Sequence, residues 1–184
     1  MAGTRTTVSA LKRNWNMVQS AVSDVDDATL SVRPNDDSNS MSWLVWHMAR
    51  VTDRLIHMRL QDAPQIWSTE SWYEKFNMPD EPNDMGMGWS KEQVAAWQSP
   101  SKDVLMGYFD KANAAAASYI SGLTDAELGR EIPWNAPTET MPMEEALWRG
   151  KRALSMPCGK LGGYQWPSCN HNPANSQHVA TRHR

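Results

Sequence analysis

Apolar residues recur three and four positions apart through most of this chain, and that period commits it to helices with one buried face. Val8, Leu11, Trp15, Val18 and Val22 fall on one side of a first helix, with Lys12, Arg13 and Gln19 on the other, and the pattern stops near Asp24. A polar connection from Asp26 to Ser38 follows, in which Pro34 holds Arg33 away from helical geometry. A second helix is expected to begin at Asn39 or Ser40, since either side chain accepts hydrogen bonds from first-turn amides. At about 100° per residue its apolar arc is Trp43, Val51, Leu55 and Met58. His47 falls inside that arc and Arg54 at its edge, two turns on, whereas Asp53 and His57 turn away.

A third helix runs from about Ser101 to Leu123, with Leu105, Tyr108, Phe109, Ala112, Ala116, Tyr119 and Leu123 on its inner face. A fourth starts near Pro142, which suits a first-turn position that needs no amide hydrogen, and continues through Met143, Ala146, Leu147 and Leu154. Between the second and third helices the period weakens over Gln61 to Pro100, a stretch broken by prolines and glycines that still carries Trp67, Trp72, Tyr73, Phe76 and Trp89. A connection this aromatic is expected to pack as a functional loop rather than trail in solvent, with a short helix over Ser90 to Trp97. Thr124 and Glu127 have the spacing of a capping box, so a short helical turn follows the third helix. No strand alternation and no repeat is evident. The expected fold class is all-α, a four-helix bundle with a long crossover connection between helices 2 and 3. It occupies residues 1–156, and an irregular tail, without apolar period, occupies 157–184.

The 184 residues suffice for one hydrophobic core. A net charge of −3, with Lys and Arg scattered, argues against nucleic acid as a partner. No stretch has the apolar length of a membrane span and the N-terminus has no apolar leader pattern, so no membrane partner is expected and a cytoplasmic location is. The two cysteines, Cys158 and Cys169, form no framework. Neither a GxSxG elbow nor a phosphate-binding glycine loop occurs, because Met85-Gly86-Met87-Gly88-Trp89 lacks the strand-to-helix setting.

His47 is the residue with chemistry to offer. An imidazole on a core-facing arc either joins ligands from other helices around a metal or bonds a carbonyl or indole as a core residue. Trp43-Leu44-Val45-Trp46-His47 with Arg50 and Asp53, preceded by Arg33-Pro34 and Asn39-Ser40, resembles the second-helix signature of the DinB-like (YfiT-like) bundle superfamily. The loop from Gln65-Ile66-Trp67-Ser68 through Trp72 and Phe76 to Pro79 is most similar to its actinobacterial branch, and the similarity extends from about Val8 to Leu147.

The resemblance implies a bundle with a metal site and an activity on low-molecular-weight thiols, as an S-transferase or isomerase using mycothiol or a relative as co-substrate. It implies a divalent metal, zinc or nickel, held by His47 and by two ligands about one turn apart in the last helix, often histidines and in some branches one a glutamate. The chain departs from this pattern after Arg149, where Gly150 to Gly159 contains no histidine. Glu144, beside the inner face of the fourth helix, is the candidate carboxylate ligand; Glu145 points outward and is expected to pair with Arg149. Arg54 is the candidate contact for an anionic small-molecule substrate. The metal-competent residues Cys158, Cys169, His171, His178 and His183 match no closed zinc spacing. The alternative function is a non-catalytic bundle that has lost its metal site and serves binding or homodimerisation. A further reading takes the chain after about residue 150 as out of frame, which the nucleotide sequence decides.

Overall fold

The structure, a computed structural model, describes residues 2–134 and 138–154. Its long helices are α1 (Ala2–Val22), α3 (Met41–Asp53), α7 (Lys102–Gly122) and α9 (Met143–Leu154). They pack as the expected four-helix bundle, α3 and α1 each lying against α7, and α9 against both α3 and α1. Shorter pieces are α2 (Asp27–Ser31), α4 (Ile66–Thr69), α5 (Trp72–Lys75), α6 (Lys91–Ala96) and α8 (Asp125–Leu128), with a hairpin of β1 (Glu131–Pro133) and β2 (Thr140–Pro142) before α9.

Helix starts follow the capping chemistry of the sequence. Ser40 Oγ accepts from the Trp43 amide at 3.2 Å, and both Ser90 with Gln93 and Thr124 with Glu127 close full capping boxes. Three features depart from expectation. The first polar connection contains α2, whose Leu30 is buried. The hairpin pairs Glu131 with Pro142, Ile132 with Met141 and Pro133 with Thr140, a ladder too short to leave an alternation in the sequence, so α9 begins only at Met143. Finally, α3 continues as π-helical turns over Arg54–Leu60, which shift the register, and Met58 is left 37% exposed.

The core has two halves. One gathers Trp43, Trp46 and Ala49 of α3 with Leu105, Tyr108 and Phe109 of α7 and with Trp67, Trp72 and Phe76. The aromatic connection is therefore core, which explains its composition. The other half joins Leu55, Ile56 and Leu60 to Ile120, to the hairpin and to Met143, Ala146 and Leu147 of α9. Glu145 pairs with Arg149 at 2.7 Å, as its outward position implies. Among the described residues no helix is long and apolar enough to cross a membrane. The tail assigned to 157–184 lies outside the described residues.

Candidate functional site

His47 sits half-buried on α3, with its ring stacked on Trp43 one turn earlier, 5.0 Å between centroids and 11° between planes. Its Nδ1 lies 2.5 Å from the Met85 carbonyl oxygen. A carbonyl only accepts, so Nδ1 carries the proton and Nε2 carries the lone pair. Burial pushes the imidazole pKa below its ordinary value, against the smaller opposing pull of the Met85 carbonyl, so the ring is neutral near pH 7. Among the described residues Nε2 makes no hydrogen bond.

Met85 is held where it is by Arg50, one turn further along α3. This arginine is completely buried and its guanidinium lies 4.3 Å above the Trp67 ring. It donates to the carbonyls of Glu81 (2.8 Å), Pro82 (3.3 Å) and Asp84 (3.0 Å), and to Gln65 Oε1 (2.9 Å). Asp84 then accepts from the Gly86 amide and from Trp89 Nε1, both at 2.9 Å. Gly86 has φ +78°, and a β-carbon there would stand 2.4 Å from Trp43 and 2.8 Å from Trp46. Only glycine lets this turn lie flat on the two indoles and aim the preceding carbonyl at His47.

Asp53 and His57 do not turn away from the protein. Asp53 is fully buried, because α4 and α7 cover the side of α3 that its position would expose to water in an isolated helix. Its Oδ1 accepts from the Ile66 amide at 3.1 Å and lies 2.7 Å from His57 Nδ1. Its Oδ2 accepts from the Trp67 amide at 2.9 Å and from Tyr108 Oη at 2.8 Å. Desolvation, reinforced by the Asp53 charge, raises the Tyr108 pKa well above its ordinary value, so it stays a donor. Neither Arg50 nor Asp53 stood out from apolar spacing, since both spend their polarity on distant backbone. The signal that marks them is an Arg and an Asp three apart on a helix followed by an aromatic-rich connection.

The remaining candidates lie elsewhere. Arg54 is half-buried at the start of the π-helical turns and reaches Asn83 Oδ1 through Nε at 3.4 Å and Nη2 at 3.3 Å. Its pKa is lowered by burial and by the nearby Arg59 and Arg50. Glu144 is exposed, and its turn of α9 packs in the half of the core that holds Leu55 to Leu60. At about 1.5 Å per residue, that level is roughly two helical turns from His47. The five tail residues Cys158, Cys169, His171, His178 and His183 lie outside the described residues. Zinc or nickel takes three or more protein donors. Among the described residues no three His, Cys, Asp or Glu side chains gather into a group that could hold such an ion. These residues fit one ligand, His47, and not the full set, so no chemical step is derived through a metal.

A profile described as the DinB superfamily matches residues 10–150. No curated protein matches the chain. Among solved structures, one described as the conserved protein of a locus from Enterococcus faecalis superposes with a TM-score of 0.71 at 24% identity, covering 82% of this chain and 88% of that one. That likeness shows a shared fold. With a profile match that spans the α3 signature and all four bundle helices up to residue 150, the chain belongs to the DinB superfamily.

Proposed function

We propose that this protein is a metal-dependent enzyme of its superfamily, in which His47 contributes Nε2 to a divalent cation, zinc or nickel. The substrate class is a low-molecular-weight thiol adduct of the mycothiol type, transferred or isomerised. The supporting observation is the Met85 carbonyl on Nδ1, because a ligating imidazole is typically oriented by a hydrogen bond on its other nitrogen, which fixes the tautomer and keeps the ligating nitrogen bare. A cation bound there would lower the pKa of a thiol or water. Arg54, with only a neutral amide oxygen as its hydrogen-bond partner among the described residues, is the proposed contact for an anionic group of the substrate. Glu144 is the proposed carboxylate ligand only if α9 approaches His47 more closely than its packing beside Leu55 and Leu60 places it.

A second reading takes the chain as a bundle that kept its fold and serves as a binding or homodimerisation module. The exposure of Glu144 and its separation from His47 favour it. Melting of the full chain with and without added zinc or nickel separates the two. A rise in Tm that His47→Ala abolishes supports the enzyme reading. Unchanged melting of a folded, metal-free wild type overturns it.

A further inference from the structure

His47 is not the only imidazole that a partner orients. His57 lies in the π-helical turns with its side chain 16% exposed, and Nδ1 is 2.7 Å from Asp53 Oδ1. Asp53 is the post to which the long connection is tied, since its two oxygens also take the amides of Ile66 and Trp67, the first residues of α4, and the hydroxyl of Tyr108. The residue before α4, Gln65, accepts from Arg50 Nη1 and donates to the Pro82 carbonyl at 2.8 Å. Hydrogen bonds therefore run from His57 through Asp53 and Tyr108 Oη to Arg50, and from Arg50 to the segment that presents Met85 to His47, while α4 hangs between Asp53 and the Gln65 held by Arg50.

We infer that His57 and Asp53 form a proton-linked latch that secures the start of this connection. When His57 is protonated its bond to Asp53 is charge-assisted, and the carboxylate that receives the Ile66 and Trp67 amides gains its strongest neighbour. When His57 is neutral that electrostatic hold is lost while the amide and hydroxyl bonds remain, and α4 opens more readily. The charged groups facing His57 act in one direction. Asp53 stands on its own helix, and Glu70 follows α4 with its pull shared by Lys111 of α7 at 2.5 Å. Tyr108 of α7 stays neutral and Arg50 is engaged by carbonyls and Gln65. The bond to Asp53 raises the His57 pKa above its ordinary value, against desolvation. The folded state therefore holds this proton more tightly than the unfolded one. The added stability is full below the ordinary histidine pKa of about 6.5 and disappears as pH rises through the raised value.

The latch itself is independent of what His47 does; only its consequence, regulation of the His47 site, rests on the proposed function. The test is an NMR titration of the full chain, following the His57 ring and the exchange of the Ile66 and Trp67 amides corrected for intrinsic rates. His57 is expected to titrate above its ordinary value. Protection of the two amides is expected to fall across that titration by about tenfold per unit of the pKa rise, and the fall is expected to vanish in His57→Gln. His47→Ala should leave both in place, which keeps failure of the metal reading separate. A His57 that titrates at or below its ordinary value, or amide protection that ignores pH in the wild type, overturns the latch.

Discussion

Replacing Arg50 by methionine fills a similar volume but removes the guanidinium bonds that tie the backbone carbonyls of Glu81, Pro82 and Asp84 to α3. Three of the lost acceptors are carbonyls of Glu81, Pro82 and Asp84, which are exposed or half-buried and regain water when the segment lifts. Two groups have no such escape. Gln65, 3% exposed, loses the donor to Oε1, and Tyr108 Oη, fully buried, loses the donor that Arg50 Nη1 offers at 3.4 Å. A buried acceptor left unpaired costs about 1–3 kcal/mol. The two losses overlap because they concern one network, so the expected loss is about 3 kcal/mol rather than their sum. Against a typical domain stability of about 5–15 kcal/mol that is a severe defect. Urea unfolding followed by tryptophan fluorescence reads it directly, since Trp67 lies under the guanidinium. A loss below about 1 kcal/mol with an unchanged m-value would refute the assignment of Arg50 as the clamp.

Gly86→Ala should destabilise by at least about 2 kcal/mol, because it combines a left-handed φ with a β-carbon driven into Trp43 and Trp46, whereas Gly88→Ala, with φ +79° and open space around it, should cost only about 1 kcal/mol of backbone strain. Equal effects in parallel urea curves would contradict the close approach at residue 86. Leu147→Ala should lower stability by about 2–5 kcal/mol, since the side chain is 4% exposed and borders a small apolar cavity with Leu11 and Ile56 that its truncation enlarges. Thermal unfolding checks it, and a Tm shift within error would show that α9 does not pack as described.

The bundle was legible because its main driving force is periodic. Leu105, Tyr108 and Ala112 are buried as their spacing requires, and the caps at Ser40 and Thr124 start helices by local chemistry that the sequence displays. What stayed hidden is non-local. Asp53 reads as a solvent-facing carboxylate until Ile66, Trp67 and Tyr108 arrive from elsewhere in the chain to pair with it. A straight 100° step puts Met58 on the inner arc, and that step fails once the helix widens into π turns at Arg54. The orientation of His47 could be read, but not the carbonyl on its Nδ1, which depends on a glycine turn held by Arg50. Spacing places Glu144 beside the inner face of α9, but how far along α3 that turn lies depends on how the two helices pack, which the period of one helix does not carry.

The central claim is that His47 stands as a neutral imidazole with the proton on Nδ1 and Nε2 bare. Nitrogen-15 NMR of the full chain across pH measures this directly. The expected result is an Nδ1–H tautomer at pH 7 and a pKa below the ordinary histidine value, because burial disfavours the charged ring. With the folded pKa depressed, the contribution of this group to stability is present above about pH 6.5 and is lost as pH falls through the lower value. An Nε2–H tautomer, or a ring still charged at pH 7, would contradict the account.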